Sequence, residues 1–316
     1  MSVYKKIMVT GGGAVAGTGL RSVMGEYPEK EFFLPSSKDC NLLDFEATKK
    51  YVADLKPDAI IHFAAISGGL QLTIDHPASV MRDNILMNFS ILEAARNVGT
   101  PKVLMTLSGA VYPLNVEIPI KEESMHGGYP HEANYGYAFA KRLIDPTIKA
   151  YRHEYGMSVV GMVPDAILGP RSNFDPKSST AIPALIRRFY ENKEGSAPLV
   201  VWGDGSPLRQ VTSDQDVARI AVWMIDNYDE AQVLNIGTME EISIKDAAYL
   251  IADFLGIDPG RITFDTTKPA GQYRKATDNS RFLKLSGFKY ASIRDTIKRA
   301  VDYFVANYPD ANKLRL

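Results

Sequence analysis

The sequence contains one cysteine, Cys40, among its 316 residues. A single cysteine excludes an internal disulfide and a cysteine cluster for zinc. No apolar run approaches the ~20 residues that a membrane helix requires, and the first residues lack the long apolar core of a signal peptide. Lys and Arg total 36 against 37 Asp and Glu, so the net charge of −1 gives no general attraction to nucleic acid or membranes. We therefore expect a cytoplasmic protein.

Short apolar segments alternate with segments of helical length along the first half of the chain. The predicted strands are Lys6–Thr10, Phe32–Leu34, Ala59–Phe63, Lys102–Leu107 and Val159–Val163. The predicted helices are Ala14–Met24, Phe45–Leu55, Ala78–Val98 and Gly136–Tyr155. This alternation predicts an α/β fold, a Rossmann-like doubly wound parallel sheet with helices on both faces.

The character of the sequence changes after Pro164, where turn-forming residues become common. We therefore assign residues 1–165 to a Rossmann-like domain and residues 166–316 to a smaller C-terminal substrate lobe. A segment near 213–236 is a candidate to return to the first domain. No internal repeat or low-complexity linker separates the two parts, so we expect them to pack as one unit.

A glycine-rich turn follows the first predicted strand, with Gly11, Ala14 and Gly17 in the spacing of a dinucleotide-binding turn. Such a turn lets backbone N–H groups approach a pyrophosphate at the N-terminus of the next helix. The alternative is a plain tight turn, but its place after the first strand of a strand–helix–strand unit favours a dinucleotide.

The residues after the second predicted strand bear on which nicotinamide cofactor binds. An acidic side chain there would bind the ribose hydroxyls of NAD and repel a 2′-phosphate. The chain instead has Ser36, Ser37 and Lys38, whose hydroxyls and ammonium suit a phosphate, so we predict NADP(H). Asp39 argues against this choice, and Lys38 could also be a solvated surface charge.

Tyr137 and Lys141 lie four residues apart and would project from one face of a helix. A nearby ammonium is expected to lower the pKa of the phenol, and Lys141 would also hydrogen-bond the nicotinamide ribose. Ser108 follows the fourth predicted strand and could hold a carbonyl oxygen for Tyr137 to protonate. The tyrosine–lysine spacing alone is more often a solvated helix face, but with the glycine turn and Ser108 it predicts a reductase.

The sequence resembles the extended short-chain dehydrogenase/reductase family, and within it the GDP-L-fucose synthase branch. The resembling segments cover nearly the whole chain: VTGGGAVAG, SSKDCNLLD, HFAAISGGL, SGAVYP, HEANYGYAFAKRLID, GPRSNFDP, IPALIRRF, VWGDGSPLRQ and FDTTKPAGQYRK. The resemblance implies NADPH, a GDP-linked keto-sugar, and Ser108, Tyr137 and Lys141 as the catalytic set.

The same resemblance implies several binding residues. Arg187 and Arg209, with Trp202 nearby, would hold the GDP portion in the C-terminal lobe, and arginine forks match phosphate oxygens well. From its place near the end of the third predicted strand, and independently of the resemblance, His62 is expected to pack near the cofactor, and Ala64 to contact it. The resemblance further implies a homodimer formed through helices near Asn84–Val98 and Gly136–Tyr155.

Two residues of the branch's epimerase step are missing. In the motif S-x-C-[IV]-[YF]-P the cysteine position holds Ala110, and the histidine position before IPALIRR holds Thr180. Neither side chain can replace a cysteine–histidine acid–base pair. Ala166 also replaces an asparagine beside the substrate. We therefore predict C4 reduction of a GDP-linked 4-keto sugar, a heptose or a 6-deoxyhexose, without C3/C5 epimerisation, in capsule or lipopolysaccharide sugar synthesis.

Three alternatives stay open. The protein could be a full GDP-L-fucose synthase with relocated acid–base groups, for which His126 and His131 are candidates. It could be a non-catalytic NADP(H)-binding protein, or an enzyme acting on a UDP- or dTDP-linked sugar. The five histidines show no paired spacing, so we expect no metal site.

Overall fold

The predicted apolar segments form the strands of a central sheet in the computed structural model, which describes residues 4–68, 70–176, 178–268 and 272–316. The strands within these ranges are β1 (Lys6–Thr10), β2 (Glu31–Phe33), β3 (Ala59–His62), β4 (Lys102–Thr106), β5 (Ser158–Pro164), β6 (Ala166–Leu168), β7 (Leu199–Trp202), β8 (Leu208–Arg209), β9 (Val211–Ser213), β10 (Leu234–Ile236), β11 (Ile242–Ser243) and β12 (Ile262–Asp265).

Helices connect these strands. They are α1 (Val15–Val23), α2 (Phe45–Leu55), α3 (Leu70–Asp75), α4 (Pro77–Val98), α5 (Tyr135–Arg142), α6 (Ile144–Tyr155), α7 (Ala181–Glu191), α8 (Asp214–Asn227), α9 (Ile244–Leu255), α10 (Ser280–Ser286) and α11 (Ile293–Asn307). Among the described helices, none is long and apolar enough to cross a bilayer.

Six strands form one parallel sheet in the order β10-β5-β4-β3-β1-β2. The direction of winding reverses at β1, so a crevice opens above the carboxyl ends of β1 and β3, where ligands bind in such sheets. β10 follows β9 and α8 in the chain and pairs with β5, so residues beyond 166 also contribute to this sheet.

Three apolar cores hold the layers together. One packs α2, α4 and α6 on one face of the sheet, and a second packs α1, α8 and α10 on the other face. The third core joins α7, α9 and α11 beside β7 and β9. An ion pair between the buried Asp214 of α8 and the partly exposed Arg299 of α11 links the second and third cores.

The predicted helix over Gly136–Tyr155 is two helices, α5 and α6, with a break at Leu143. Pro146 lies in the first turn of α6, where the N–H that proline lacks is not needed. A continuous helix would require that N–H to bond the carbonyl of Arg142. The proline therefore interrupts the helix at Leu143, directly after Arg142.

Candidate active site

The turn between β1 and α1 requires glycine at two positions. Gly11 has a φ of 75°, and a Cβ there would lie 2.7 Å from the backbone nitrogen of Ala64. A Cβ on Gly17 would lie 2.5 Å from Gly12 Cα. Ala14 has extended backbone angles before α1 and donates its N–H to the Gly11 carbonyl at 3.0 Å, so its methyl group is tolerated. β1, β3 and α1 thus approach one another too closely for side chains.

A cavity of about 460 Å³ opens above the carboxyl ends of β1, β2 and β3. Its lining includes four of the predicted cofactor residues: Gly11, Ser36, Ser37 and Ala64. Ala14, Gly17 and Lys38 are not part of the described lining. Asn41 and Leu42 line the cavity but were missed as site residues, although they lie in the segment SSKDCNLLD. The cavity and the glycine turn below it fit a dinucleotide.

The loop after β2 holds Asp39 within its own turn. The Asp39 carboxylate accepts hydrogen bonds from the Ser36 hydroxyl at 2.7 Å and from the Ser36 N–H at 2.9 Å. These bonds lower the pKa of Asp39 below its usual range. The residue that argued for NAD therefore serves to close this loop, while Lys38 is exposed on its surface.

His62 connects the ends of β1 and β3. Thr10 Oγ1 accepts the Ala64 N–H at 3.3 Å and lies 2.8 Å from His62 Nδ1, so its own O–H can donate to that nitrogen. His62 Nε2 then donates to Asn88 Oδ1 at 3.1 Å. Burial and the nearby charge of Lys141 lower the pKa of His62 to about 3. A neutral His62 thus fixes the strand ends and does not transfer protons at neutral pH.

Ser108 and Tyr137 come together from separate elements. Ser108 follows β4, and its Oγ accepts the Ala110 N–H at 3.2 Å at the start of a 3-10 turn. Tyr137 lies in α5 and forms a hydrogen bond with Ser108. Burial raises the pKa of Tyr137 above its usual 10.0 despite this hydrogen bond. The phenol is therefore protonated at neutral pH and can act as an acid.

Lys141 lies one helical turn after Tyr137 and is 1% exposed. Its Nζ donates to the carbonyl of Thr106, at the end of β4, at 2.9 Å. Burial lowers the pKa of Lys141 to about 8. The expectation that its ammonium lowers the pKa of Tyr137 is wrong for this structure, because burial of the phenol dominates and the ammonium is held at the strand end.

A second cavity, of about 200 Å³, lies beside β6 and the start of α7. Its lining includes Arg209, Thr180 and Ala166. Arg209 donates from Nη1 to the carbonyls of Leu208 at 2.7 Å and Gln272 at 3.0 Å, and burial lowers its pKa. Of the three residues predicted to hold GDP, Arg209 alone is in this described lining.

Arg187 and Trp202 lie elsewhere on the lobe. Arg187 pairs with Glu191 at 2.8 Å and donates to the Phe174 carbonyl at 3.2 Å. Trp202 is 55% exposed at the end of β7, with the guanidinium of Arg188 5.6 Å from its ring centre. Arg188 also donates from Nη1 to the Val200 carbonyl at 2.7 Å, which holds its guanidinium over the ring.

Lys275 is a further basic residue that sequence reasoning missed. The Tyr273 carbonyl accepts from Leu208 N, and the Ala276 carbonyl accepts from Ile120 N, each at 2.8 Å. Lys275 therefore lies on a segment that crosses from β8 to the domain of the central sheet. Burial lowers its pKa, and no described residue forms an ion pair or hydrogen bond with its ammonium. Ala270, in the nearby segment FDTTKPAGQYRK, lies outside the described residues.

The two histidines considered as relocated bases have other partners. His126 Nε2 lies 2.9 Å from Asp145 Oδ2 and lines a separate cavity with Glu122 and Glu123. His131 accepts the Ala133 N–H at 3.2 Å and so caps a 3-10 turn. Neither residue is in the described lining beside Thr180.

These features define an α/β protein of the Rossmann class, with a dinucleotide-sized cavity and a serine–tyrosine–lysine set at the ends of its strands. The chain belongs to the NAD dependent epimerase/dehydratase family, whose model matches residues 7–237.

Relatives within the family match nearly the whole chain. A probable GDP-L-fucose synthase from Drosophila melanogaster is 34% identical over 98% of this chain and all of its own length. The structure of a GDP-L-fucose synthetase from Naegleria fowleri bound to NADP is 33% identical, with a TM-score of 0.91 over 99% of this chain and 95% of that one.

A more distant structure shares the fold. It is a GDP-mannoheptose C4 reductase from Campylobacter jejuni with NADP bound, with a TM-score of 0.86 over 96% of this chain and 99% of its own. At 22% identity it indicates a common architecture and nothing further.

Proposed function

We propose that the protein reduces a GDP-linked 4-keto sugar at C4 with NADPH, without epimerising C3 or C5. The observation that carries the proposal is that Ser108 meets Tyr137, with the buried Lys141 one helical turn further along α5. Ala110 and Thr180 stand where the resembling branch has its cysteine and histidine, so the acid–base groups for proton transfer at C3 and C5 would be missing.

The cofactor assignment rests on the glycine turn and on the relative from Naegleria fowleri that is bound to NADP. Gly11, Gly12 and Gly13 would hold the pyrophosphate near the N-terminus of α1, and Asn41 and Leu42 would face the adenosine. When bound, the cofactor supplies a hydride to the carbonyl carbon.

The chain's own residues supply the proton and orient the carbonyl. Ser108 would hold the ketone oxygen, and Tyr137 would donate its phenolic proton to that oxygen, which gives an alcohol and a phenolate. The raised pKa of Tyr137 keeps this acid protonated at neutral pH until the oxygen becomes negative. The Ser108 hydroxyl, which lowers the pKa of Tyr137 against the effect of burial, would then favour the phenolate, and Lys141 would hydrogen-bond the nicotinamide ribose.

The GDP assignment rests on relatives named GDP-L-fucose synthase and on the basic residues of the lobe. Arg209 and Lys275 provide charge for a diphosphate, and Trp202 with Arg188 offers an exposed aromatic face for a base. Arg187 would have to leave Glu191 to take part.

A second candidate function is that of a full GDP-L-fucose synthase. The relatives that carry this name match nearly the whole chain at up to 34% identity. This function would require acid–base groups at new positions, and His126 and His131 lie away from the cavity beside Thr180.

The deciding experiment is NADPH oxidation with GDP-4-keto-6-deoxymannose and with a GDP-4-keto-heptose in deuterated water, followed by NMR of the products. We expect reduction at C4 with no deuterium at C3 or C5, and the faster substrate identifies the sugar. Deuterium at C3 or C5 would establish the synthase instead. Cofactor binding without oxidation by either sugar, or by UDP- and dTDP-linked analogues, would identify a non-catalytic protein.

We further propose a homodimer formed through α4, α5 and α6. The apolar side chains Leu86, Leu143 and Tyr155 are exposed along this part of the molecule. Light scattering should give a molecular mass twice that of one chain. The Leu86→Glu variant should have the mass of a single chain.

A further inference from the structure

Arg21 lies in α1 on the outer side of the glycine turn. Its Nε donates to the Gly12 carbonyl at 3.1 Å. One of its terminal nitrogens, Nη2, lies 3.3 Å from the position that a Cβ on Gly12 would take. The turn itself therefore holds the guanidinium in place.

The same side of Gly12 faces the end of β2. Leu34 Cβ lies 2.9 Å from that would-be Cβ, and Leu34 is followed by Pro35 and Ser36, which line the nucleotide cavity together with Gly12. The guanidinium thus lies where the glycine turn meets the loop after β2. In a Rossmann-like domain this junction receives the 2′ substituent of the adenosine ribose.

Arg21 has a charge that the described part of the chain does not neutralise. No described carboxylate forms an ion pair with it, and its Nε donates to a neutral carbonyl, that of Gly12. Asp39, the acidic residue in the loop after β2, accepts a hydrogen bond from the Ser36 hydroxyl. A planar guanidinium fixed through Nε retains terminal N–H groups that can bind phosphate oxygens.

We propose that Arg21 recognises the 2′-phosphate and sets the preference for NADP(H) over NAD(H). This inference rests on the proposed cofactor. Arg21 and Lys38 are both exposed, and neither is part of the described cavity lining. The Arg21 guanidinium is fixed on the Gly12 carbonyl, whereas no described residue holds the Lys38 ammonium, so we expect Lys38 to contribute less.

The test measures binding by calorimetry and needs no turnover. The probes are 2′,5′-ADP against 5′-ADP, and NADP⁺ against NAD⁺, with wild type, Arg21→Gln, Arg21→Lys and Lys38→Gln. We expect Arg21→Gln to weaken the two 2′-phosphorylated ligands about tenfold or more and leave the others within about twofold. Lys38→Gln should lose less than about threefold, and Arg21→Lys should fall between wild type and Arg21→Gln.

Three results would overturn the assignment. Equal weakening of both ligand classes by Arg21→Gln would mean that Arg21 only supports the glycine turn. A selective loss confined to Lys38→Gln would transfer the role to Lys38. A wild type that binds NAD⁺ as tightly as NADP⁺ would instead refute the cofactor part of the proposed function, so the two failures are distinguishable.

Discussion

The nucleotide cavity above β1 and the smaller cavity beside β6 are built in different ways. The first is lined mainly by strand ends and by the turns that directly follow β1, β2 and β3, so backbone geometry shapes it. The second takes Ala166, Thr180 and Arg209 from segments far apart in sequence, and the Arg209 guanidinium already donates to the carbonyls of Leu208 and Gln272. The shape of the first cavity therefore depends on close backbone packing. Binding at the second depends on which groups its arginine side chains contact.

The largest expected effect comes from removing the proton donor while leaving both cavities intact. Tyr137→Phe should lower the rate of ketone reduction about 10³-fold, because the proton donor is lost. Binding of NADPH, followed by fluorescence, should change less than about threefold. Tyr135→Phe is the matched control, since Tyr135 is exposed in the same helix and should retain wild-type rates. If the Tyr137→Phe enzyme still reduced the ketone at a rate near that of the wild type, another group would have to donate the proton.

The dependence of the first region on backbone packing can be broken at Gly17. Gly17→Ala would put a methyl group against Gly12 Cα, so the turn must open, and we expect unfolding free energy to fall by about 2–4 kcal/mol with loss of NADPH binding. Urea denaturation measures the first effect. Gly25→Ala is the control, since a Cβ there meets nothing within 4 Å and should cost less than about 0.5 kcal/mol. A fully stable Gly17→Ala protein that binds NADPH would contradict the close approach of α1 and β1.

The dependence of the second region on side-chain partners can be tested with two arginines. Arg209→Gln should raise the KM for the GDP-sugar about tenfold, because a cation beside the cavity is lost. Arg187→Gln should change KM less than about twofold, since Arg187 is paired with Glu191. NADPH binding should be unchanged in both variants. A larger effect of Arg187 would show that it exchanges Glu191 for substrate.

The smallest expected effect concerns Asp165, at the junction of β5 with the lobe. Its carboxyl carbon lies 2.6 Å from where a Cβ on Gly237 would stand, and neither of its carboxyl oxygens has a hydrogen-bond partner among the described residues. Burial therefore raises the pKa of Asp165 from 3.8 to about 8. Between about pH 4 and pH 8 the Asp165 carboxyl is therefore protonated in the folded protein but ionised in the unfolded chain. The free energy of unfolding consequently falls as the pH rises from about 4 to about 8.

Asp165→Asn removes this titration with little change in shape. The quantity to compare is the melting temperature of the variant minus that of the wild type. This difference should be a few degrees larger at pH 8.5 than at pH 5.5. Asp58→Asn is the control for the general effect of removing one negative charge. In the wild type, the Asp58 carboxylate accepts a hydrogen bond from the exposed Lys5 N–H at 3.0 Å. A variant-to-wild-type difference that does not change with pH would show that Asp165 is already ionised in the folded protein.

Much of the nucleotide region could be predicted because its signals are local. The glycine spacing, the loop after β2 and the Tyr137–Lys141 pair each lie within one short segment. The break at Leu143 was missed because helical patterning outweighed Pro146, although the proline itself is a local signal. The direction of the Tyr137 pKa could not be predicted, because it depends on how deeply the phenol is buried.

The substrate region was less predictable. Arg187, Arg188 and Arg209 look alike in sequence, and only the fold pairs the first with Glu191, stacks the second on Trp202 and brings the third to a cavity. Lys275 gave no signal beyond its basic neighbour Arg274, which pairs with Glu241.

The sequence by itself determined the parallel sheet, the glycine turn and the absence of a cysteine and a histidine at Ala110 and Thr180, because these follow from periodicity, backbone sterics and side-chain chemistry at fixed positions. The tertiary structure decided which cations stay free, where Lys141 directs its ammonium and how burial shifts each pKa. Those properties arise from contacts between residues distant in the chain, and a charge or a proton responds to everything packed around it.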